Sequence, residues 1–206
     1  RDKRVRMALS HGMNRVEINE VMFFGLMNDM GYSFGPLSPF YDHELAQRYT
    51  KYDPDLARNL LEEAGYTDAD GDGYREYADG TPFSFNIDVT ASVGTDVAEL
   101  VAEQWKDIGV KMNLNIALRD ILWPRRVNGE FDIHYWVHEG PGDPLVHIDD
   151  WSIVGETLPF WHRNATAEGP EWFHEVTRHV SAAVTTIDTT EFRQRMEQVR
   201  DLHTEN

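Results

Sequence analysis

The sequence predicts an α/β fold, and three observations carry that reading. Apolar and polar residues alternate over Phe83, Phe85, Ile87 and Val89 and again over Val110, Met112, Leu114, Ile116 and Leu118, the period of a strand with one face buried. Between them Thr95 to Ile108 has helical spacing and stops at Gly109, and a third apolar run, Phe131 to Val137, follows soon after. Strand, helix and strand so close together form a βαβ unit, with parallel strands and a right-handed crossover. The chain has 206 residues, 41% hydrophobic and 12% aromatic, enough for one compact domain with a sizeable core. A single domain over residues 1–206 is therefore expected.

The remaining elements follow in order. Residues 2–24 carry apolar side chains at Val5, Ala8, Leu9, Met13, Val16, Ile18, Val21 and Met22, with a restart at Asn14, where Asn14 and Glu17 have the spacing of a capping box. Two consecutive helices are predicted. Gly25 to Tyr41 holds Gly31, Gly35, Pro36 and Pro39 and reads as a loop; its aromatics, Tyr32, Phe34, Phe40 and Tyr41, must pack or contact a ligand. Asp53 to Ala64 is the clearest helix, with Asp53 as N-cap, Pro54 at the first position, Leu56, Leu60 and Leu61 on one face and Gly65 past the end. A short helix from Asp120 to Asn128 precedes the third strand. Residues 139–169 are loop-like and long enough to suggest a functional surface. Two helices close the chain, one over Pro170 to Val184 and one from Asp188, where Asp188 and Glu191 repeat the capping-box spacing.

Charge and composition exclude several function classes. Lys and Arg number 19 against 36 Asp and Glu, a net charge of −17, which a phosphate backbone would repel, so nucleic acid is not a partner. Without cysteine there is no disulfide, no Cys-zinc site and no thiol nucleophile. No apolar run is long enough to span a bilayer and no signal peptide is present. The chain starts in helical sequence without Met, so it is expected to be an excised or processed piece of a longer protein, and the missing signal does not locate the parent. Four Lys against fifteen Arg in so acidic a chain also suit a salt-adapted source.

Asp68, Asp70, Asp72 and Gly73 have the spacing of a calcium loop, in which alternate carboxylates converge on a hard cation, with Asp79 at the place of the closing bidentate Glu. Asp is too short to close the loop as Glu does, and the same residues also suit a polar turn between a helix and a strand. No cofactor is required by the sequence; a structural calcium is the one it offers. His138, Glu139, Asp143, His147, Asp149 and Asp150 hold the donors of a zinc or nickel site without any closed metal motif, so a metal-dependent hydrolase is a rival reading, and a calcium-stabilised interaction module is another. Trp151, Trp161 and Trp172 suit either stacking on a ligand or burial. No nucleophile elbow and no phosphate loop is present, and no enzymatic activity is expected.

The order of the motifs is more informative than any one of them. Val5-Arg6-Met7-Ala8-Leu9-Ser10, then Asn14-Arg15-Val16-Glu17, Gly35-Pro36-Leu37, Tyr52-Asp53-Pro54, Ala64-Gly65-Tyr66, Asp70-Gly71-Asp72-Gly73, Asp79-Gly80-Thr81-Pro82, Gln104-Trp105-Lys106-Asp107-Ile108-Gly109 and Gly129-Glu130-Phe131-Asp132 run collinearly. This series resembles the family 5 extracellular solute-binding proteins, the dipeptide and oligopeptide-binding class of ABC importers, over about residues 4–145. The resemblance implies one lobe of a two-lobed periplasmic-binding-protein-like fold, most of the C-terminal lobe, with the N-terminal lobe absent from this chain. It implies further a periplasmic or extracellular parent, anchored to the membrane or free, that binds a peptide or related solute between its lobes and delivers it to an ABC permease.

Ligands of open α/β sheets gather beyond the carboxyl ends of the strands, which selects Trp136, His138, Glu139 and Asp143 after the third strand, with Phe34 and Tyr41 from the Gly/Pro loop. The family pattern after this strand resembles Trp-x-x-Asp-Tyr-x-Asp-Pro, its first Asp holding a peptide's amino terminus. Asp143-Pro144 keeps the end of that pattern, whereas Gly140 or Pro141 stands in place of the first Asp and Glu139 is the substitute charge; this leaves a sugar or another solute as alternatives to a peptide. Arg126 matches a position where some members hold the ligand's carboxylate, a task that suits its guanidinium fork, although it reads equally as a surface Arg and neighbouring Arg125 could take its register.

Overall fold

A computed structural model describes residues 2–128, 130–135 and 170–206. They fall into two compact units, the first from residues 2–29, 49–122 and 131–135, the second from residues 30–48, 123–128, 130 and 170–206.

The first unit opens with α1 (Lys3–His11) and α2 (Arg15–Phe23). Asp2 caps α1 by accepting from the Arg4 N–H at 2.9 Å, and Asn14 caps α2 by accepting from the Glu17 N–H at 3.2 Å. The predicted capping box is closed differently: the Asn14 N–H donates to Gln104 Oε1 and Gln104 Nε2 donates to Glu17, each at 2.9 Å. A buried amide from a distant helix thus supplies what the short local box would have supplied. α1 lies against α4 (Pro54–Glu63), whose cap Asp53 accepts from the Leu56 N–H at 3.1 Å. Leu60 and Leu61 face inward as predicted, but the third buried position is Ala57 rather than Leu56, which is exposed, as are Val16 and Val21 of α2. The core joins Val5, Ala8, Ile18, Leu60, Leu61, Phe83, Trp105, Ile108 and Val110, and Trp105 Nε1 donates to the Leu9 carbonyl at 2.9 Å, so the buried indole leaves no polar atom unmet.

The sheet has the order β2-β1-β3, with β1 (Ser84–Thr90) between β2 (Lys111–Ala117) and β3 (Ile133–Tyr135), all parallel. α5 (Thr95–Lys106) links β1 to β2, as the βαβ reading requires. One sheet face is apolar: Ile87 pairs with Leu114 and Ile133, and Val89 with Ile116 and Tyr135. The other is polar, where Asn115 donates to Asp88 at 2.7 Å and Asn86 donates through its N–H and side chain to Asp132, each at 2.9 Å. The sequence predicts a half-buried β1, but Asp88 and Thr90 are buried together with Ile87 and Val89; a central strand is covered on both faces, and here the polar alternation serves hydrogen bonds rather than solvent. β2 keeps the predicted alternation over its first five residues, with Lys111, Asn113 and Asn115 exposed, but Ile116 is exposed as well, as is Leu118 beyond the strand, so the expected inward face ends at Leu114.

The second unit is built on α7 (Glu171–Thr185) and α8 (Thr189–Glu205), which pack on each other. Asp188 caps α8 by accepting from the N–H groups of Thr190 and Glu191 at 2.7 and 3.1 Å. Val176, Val180, Ala183, Met196 and Val199 form its core with Phe34 and Phe40 from the Gly/Pro loop. The same loop segment ends in α3 (His43–Ala46), a short helix that periodicity does not reveal, capped by Asp42 at 3.0 Å from the Leu45 N–H. α6 (Arg119–Asn128) divides between the units after Leu122. Pro124 sits just beyond that division, and having no N–H it cannot make the helical bond to the carbonyl four residues back.

Candidate ligand-binding site

The carboxyl ends of the three parallel strands lie together in the first unit. β1 runs through Ala91–Val93 to Gly94, the N-cap of α5, which has φ +70° and gives the helix no side-chain cap. Only a residue at ease in the left-handed region can make this turn, and the space is occupied as well: a Cβ on Gly94 would lie 2.2 Å from Cε1 of Tyr135, the last residue of β3. The Tyr135 ring therefore rests against the start of α5. Burial, and then the Asp96 carboxylate in the first helical turn, raise its hydroxyl above the usual tyrosine range. Thr90, at the end of β1, is buried, and its Oγ1 meets no hydrogen-bond partner among the described residues. Beyond β2, Leu118 is exposed and the Ile121 N–H donates to its carbonyl at 3.0 Å as α6 begins. Tyr135, Gly94 and Thr90 were missed as site residues by sequence reasoning. A strand end followed by a glycine at the start of a helix was the available signal.

Trp136, His138, Glu139 and Asp143 lie outside the described residues, as do His147, Asp149, Asp150, Trp151 and Trp161. The other predicted ligand contacts belong to the second unit. Arg126, on α6, is buried, and its guanidinium lies 4.7 Å over the Trp123 ring, a stacking suited to a planar cation. Phe34 is 1% exposed and meets Phe40 edge-on at 6.1 Å; it packs the core, because the loop that carries it folds over α7 and α8. Tyr41 is half-buried and its hydroxyl lies 3.2 Å from His43 Nδ1. Trp172 is half-buried beside the second core.

The acidic loop is ordered by its own carboxylates. Asp68 accepts from the N–H groups of Gly71 and Gly73 at 2.7 and 3.0 Å, Asp70 from Asp72 at 3.0 Å, and Asp72 from Tyr74 at 2.8 Å. The fourth carboxylate of the cluster is Glu76, not Asp79. Donor atoms of Asp68, Asp70, Asp72 and Glu76 lie within 4.8 Å of one another, whereas Asp79 closes the next turn by accepting from the Thr81 hydroxyl and N–H at 2.7 and 3.0 Å. Those two bonds, the hydroxyl's first, hold the Asp79 carboxyl below the usual range. Glu76 is buried and fixed by the Ala69 N–H at 2.8 Å, over Arg75, which donates to the Ile108 and Tyr66 carbonyls at 3.0 and 2.7 Å. Four oxygens of this kind are the donor set of a hard cation, and the same bonds make a self-sufficient polar turn.

Residues 1–146 match the sequence profile of the bacterial extracellular solute-binding proteins, family 5, middle part. The chain is 33% identical over 165 residues to the oligopeptide-binding protein OppA of Lactococcus lactis subsp. lactis, covering 75% of this chain and 25% of the relative. It is 32% identical over 118 residues to the oligopeptide-binding protein AppA of Bacillus subtilis, covering 56% of this chain and 22% of the relative. A solved oligopeptide-binding protein OppA superposes on all of the chain with a TM-score of 0.92 at 30% identity, and the matched part is 36% of that structure. A binding-protein lobe of α/β type is thus the class the fold defines, and the chain belongs to family 5 of the bacterial extracellular solute-binding proteins. It spans about a quarter of the length of these curated relatives. The family is extracellular by description, as the sequence leads one to expect.

Proposed function

We propose that the whole protein is the solute-binding component of an ABC importer, taking an oligopeptide between two lobes and passing it to a membrane permease. The observation that carries this reading is the 33% identity to a curated oligopeptide-binding protein over 165 residues, supported by the TM-score of 0.92 to a solved one. The ligand lies beyond the carboxyl ends of β1, β2 and β3, where Tyr135 closes over Gly94 and the segment with Trp136, His138, Glu139 and Asp143 begins. Trp136 is the candidate aromatic face for the ligand and Glu139 the substitute charge for its amino group, with Asp143 a second carboxylate of the same segment. Arg126, by the family resemblance, is the candidate for the ligand's carboxylate and Tyr41 a candidate contact; both belong to the second unit. Phe34 has no place in that list, since its ring is spent on the core. Binding free energy closes the lobes, and the permease recognises the closed form. No chemical step is needed, and no hydrolase is among the two curated relatives and the solved structure compared above.

Calorimetric titration of the full-length protein with peptides of three to nine residues tests the reading. Saturable binding is expected, weakened at least about tenfold by Asp143→Ala, the loss of one charged contact. Saturation by an oligosaccharide or by nickel or zinc, with no response to any peptide, would replace the peptide reading.

A further inference from the structure

Soluble proteins scatter single apolar residues over their surfaces, but a contiguous exposed group held in a fixed shape is uncommon and marks a contact surface. One such group follows α2. Phe24 is 85% exposed and Leu26 83%, with Met27 and Val21 exposed beside them. The backbone that presents them is fixed. Phe24 has φ +54° and Gly25 +72°, the first a conformation that a bulky side chain adopts only where its surroundings impose it. Asn19 imposes it: its Nδ2 donates to the Met27 carbonyl at 2.8 Å and to Asp29 at 3.1 Å, and its Oδ1 accepts from the Met27 N–H at 3.0 Å. An asparagine clamp could have turned these side chains inward. Here it holds them out.

We propose that this knuckle of Phe24, Leu26 and Met27 is a docking element for the permease, fitting an apolar socket with a basic rim. The proposal rests on the functional reading above. Charge selects the occupant: the knuckle is flanked by Glu20 and Asp29 on a chain of net charge −17, so a second copy of the chain and an anionic lipid surface are both repelled. A protein socket rimmed by Lys and Arg is drawn to it, and electrostatic attraction of that kind raises the rate of encounter. Apolar anchors on a rigid turn then bind with little loss of conformational freedom.

The test uses the full-length protein and its purified permease in nanodiscs, reading peptide affinity and, separately, the concentration of binding protein that half-maximally stimulates ATP hydrolysis. With Phe24→Ser and Leu26→Ser together, peptide affinity should stay within about twofold while the half-maximal concentration rises at least about tenfold. Asn19→Ala, which leaves every knuckle side chain in place but removes the clamp, should raise it in the same direction. An unchanged half-maximal concentration in both variants overturns the proposal. So does a fall in melting temperature and peptide affinity in the serine variant, which would mean that the knuckle is covered by another part of the same protein. A wild-type protein that binds no peptide overturns the functional reading, and this proposal with it; peptide binding with an unaffected half-maximum overturns this proposal alone.

Discussion

Replacing Phe34 by alanine removes a fully buried ring from between Phe40 and the α7–α8 core, and should lower the unfolding free energy by about 3–5 kcal/mol. Urea unfolding measures this, and a loss below about 1 kcal/mol would contradict the core assignment. Gly94→Ala acts at the strand ends: the new side chain meets the Tyr135 ring and takes a left-handed conformation that is unfavourable by about 1–2 kcal/mol. Because the far end of the ring can swing away, Tyr135→Ala should reduce the penalty of Gly94→Ala, and equal penalties in both backgrounds would show that the two residues do not touch. Single residues of this kind were only half legible in the sequence. Phe34 and Tyr41 sit alike in a Gly/Pro loop, and an aromatic that packs carries the same local signal as one that binds. What separates them is the helix pair that covers Phe34, which lies at the other end of the chain.

At the scale of the element, helix caps carry a pH dependence. The Leu45 N–H holds the Asp42 carboxyl below its usual range, the Leu56 N–H and then Lys51 do so for Asp53, and at Asp2 the Arg4 side chain leads, with its N–H second. A carboxyl whose folded value lies below its unfolded value stabilises fully above the unfolded value, near 3.9, and loses that contribution as pH falls through the folded one. Stability should therefore decline below about pH 4. Asp53→Asn keeps the capping oxygen but cannot titrate, so it should flatten part of that decline; a thermal denaturation series across pH 2–5 with the same slope in both proteins would contradict the assignment. Of these caps Asp53 was legible, because a cap needs only its own next three residues and a clear helix follows it; Asp2 and the Asp42 cap of the short α3 were not read. The partner of Asn14 was not, since Gln104 arrives from α5. Gln104→Ala leaves the half-buried Asn14 N–H without its acceptor and should destabilise by about 1–3 kcal/mol. Calorimetry would contradict the clasp if the change were within about 0.5 kcal/mol.

For the whole molecule, charge is the dominant property. Thirty-six acidic side chains against 19 basic ones repel one another across the surface, and raising salt from about 0.1 M to 1 M shortens the screening length from about 10 Å to about 3 Å. The melting temperature should rise by a few degrees over that range, and a flat or falling curve would show that paired charges matter more than the net excess. The α/β class, the parallel βαβ unit and the family could all be read in advance, because they depend on periodicity and on motif order over residues 1–146. Which helices the loop aromatics join, and where the chain divides after Leu122, depend on contacts between distant segments and leave no mark on any short window. The Gln104 clasp has one more effect, on the order of events in folding. It ties α5 to the start of α2 across 90 residues of sequence, and closing so long a loop comes after local helices and the neighbouring βαβ contacts have formed. The bond should therefore be absent from the rate-limiting transition state, so that Gln104→Ala speeds unfolding and leaves the refolding rate nearly unchanged.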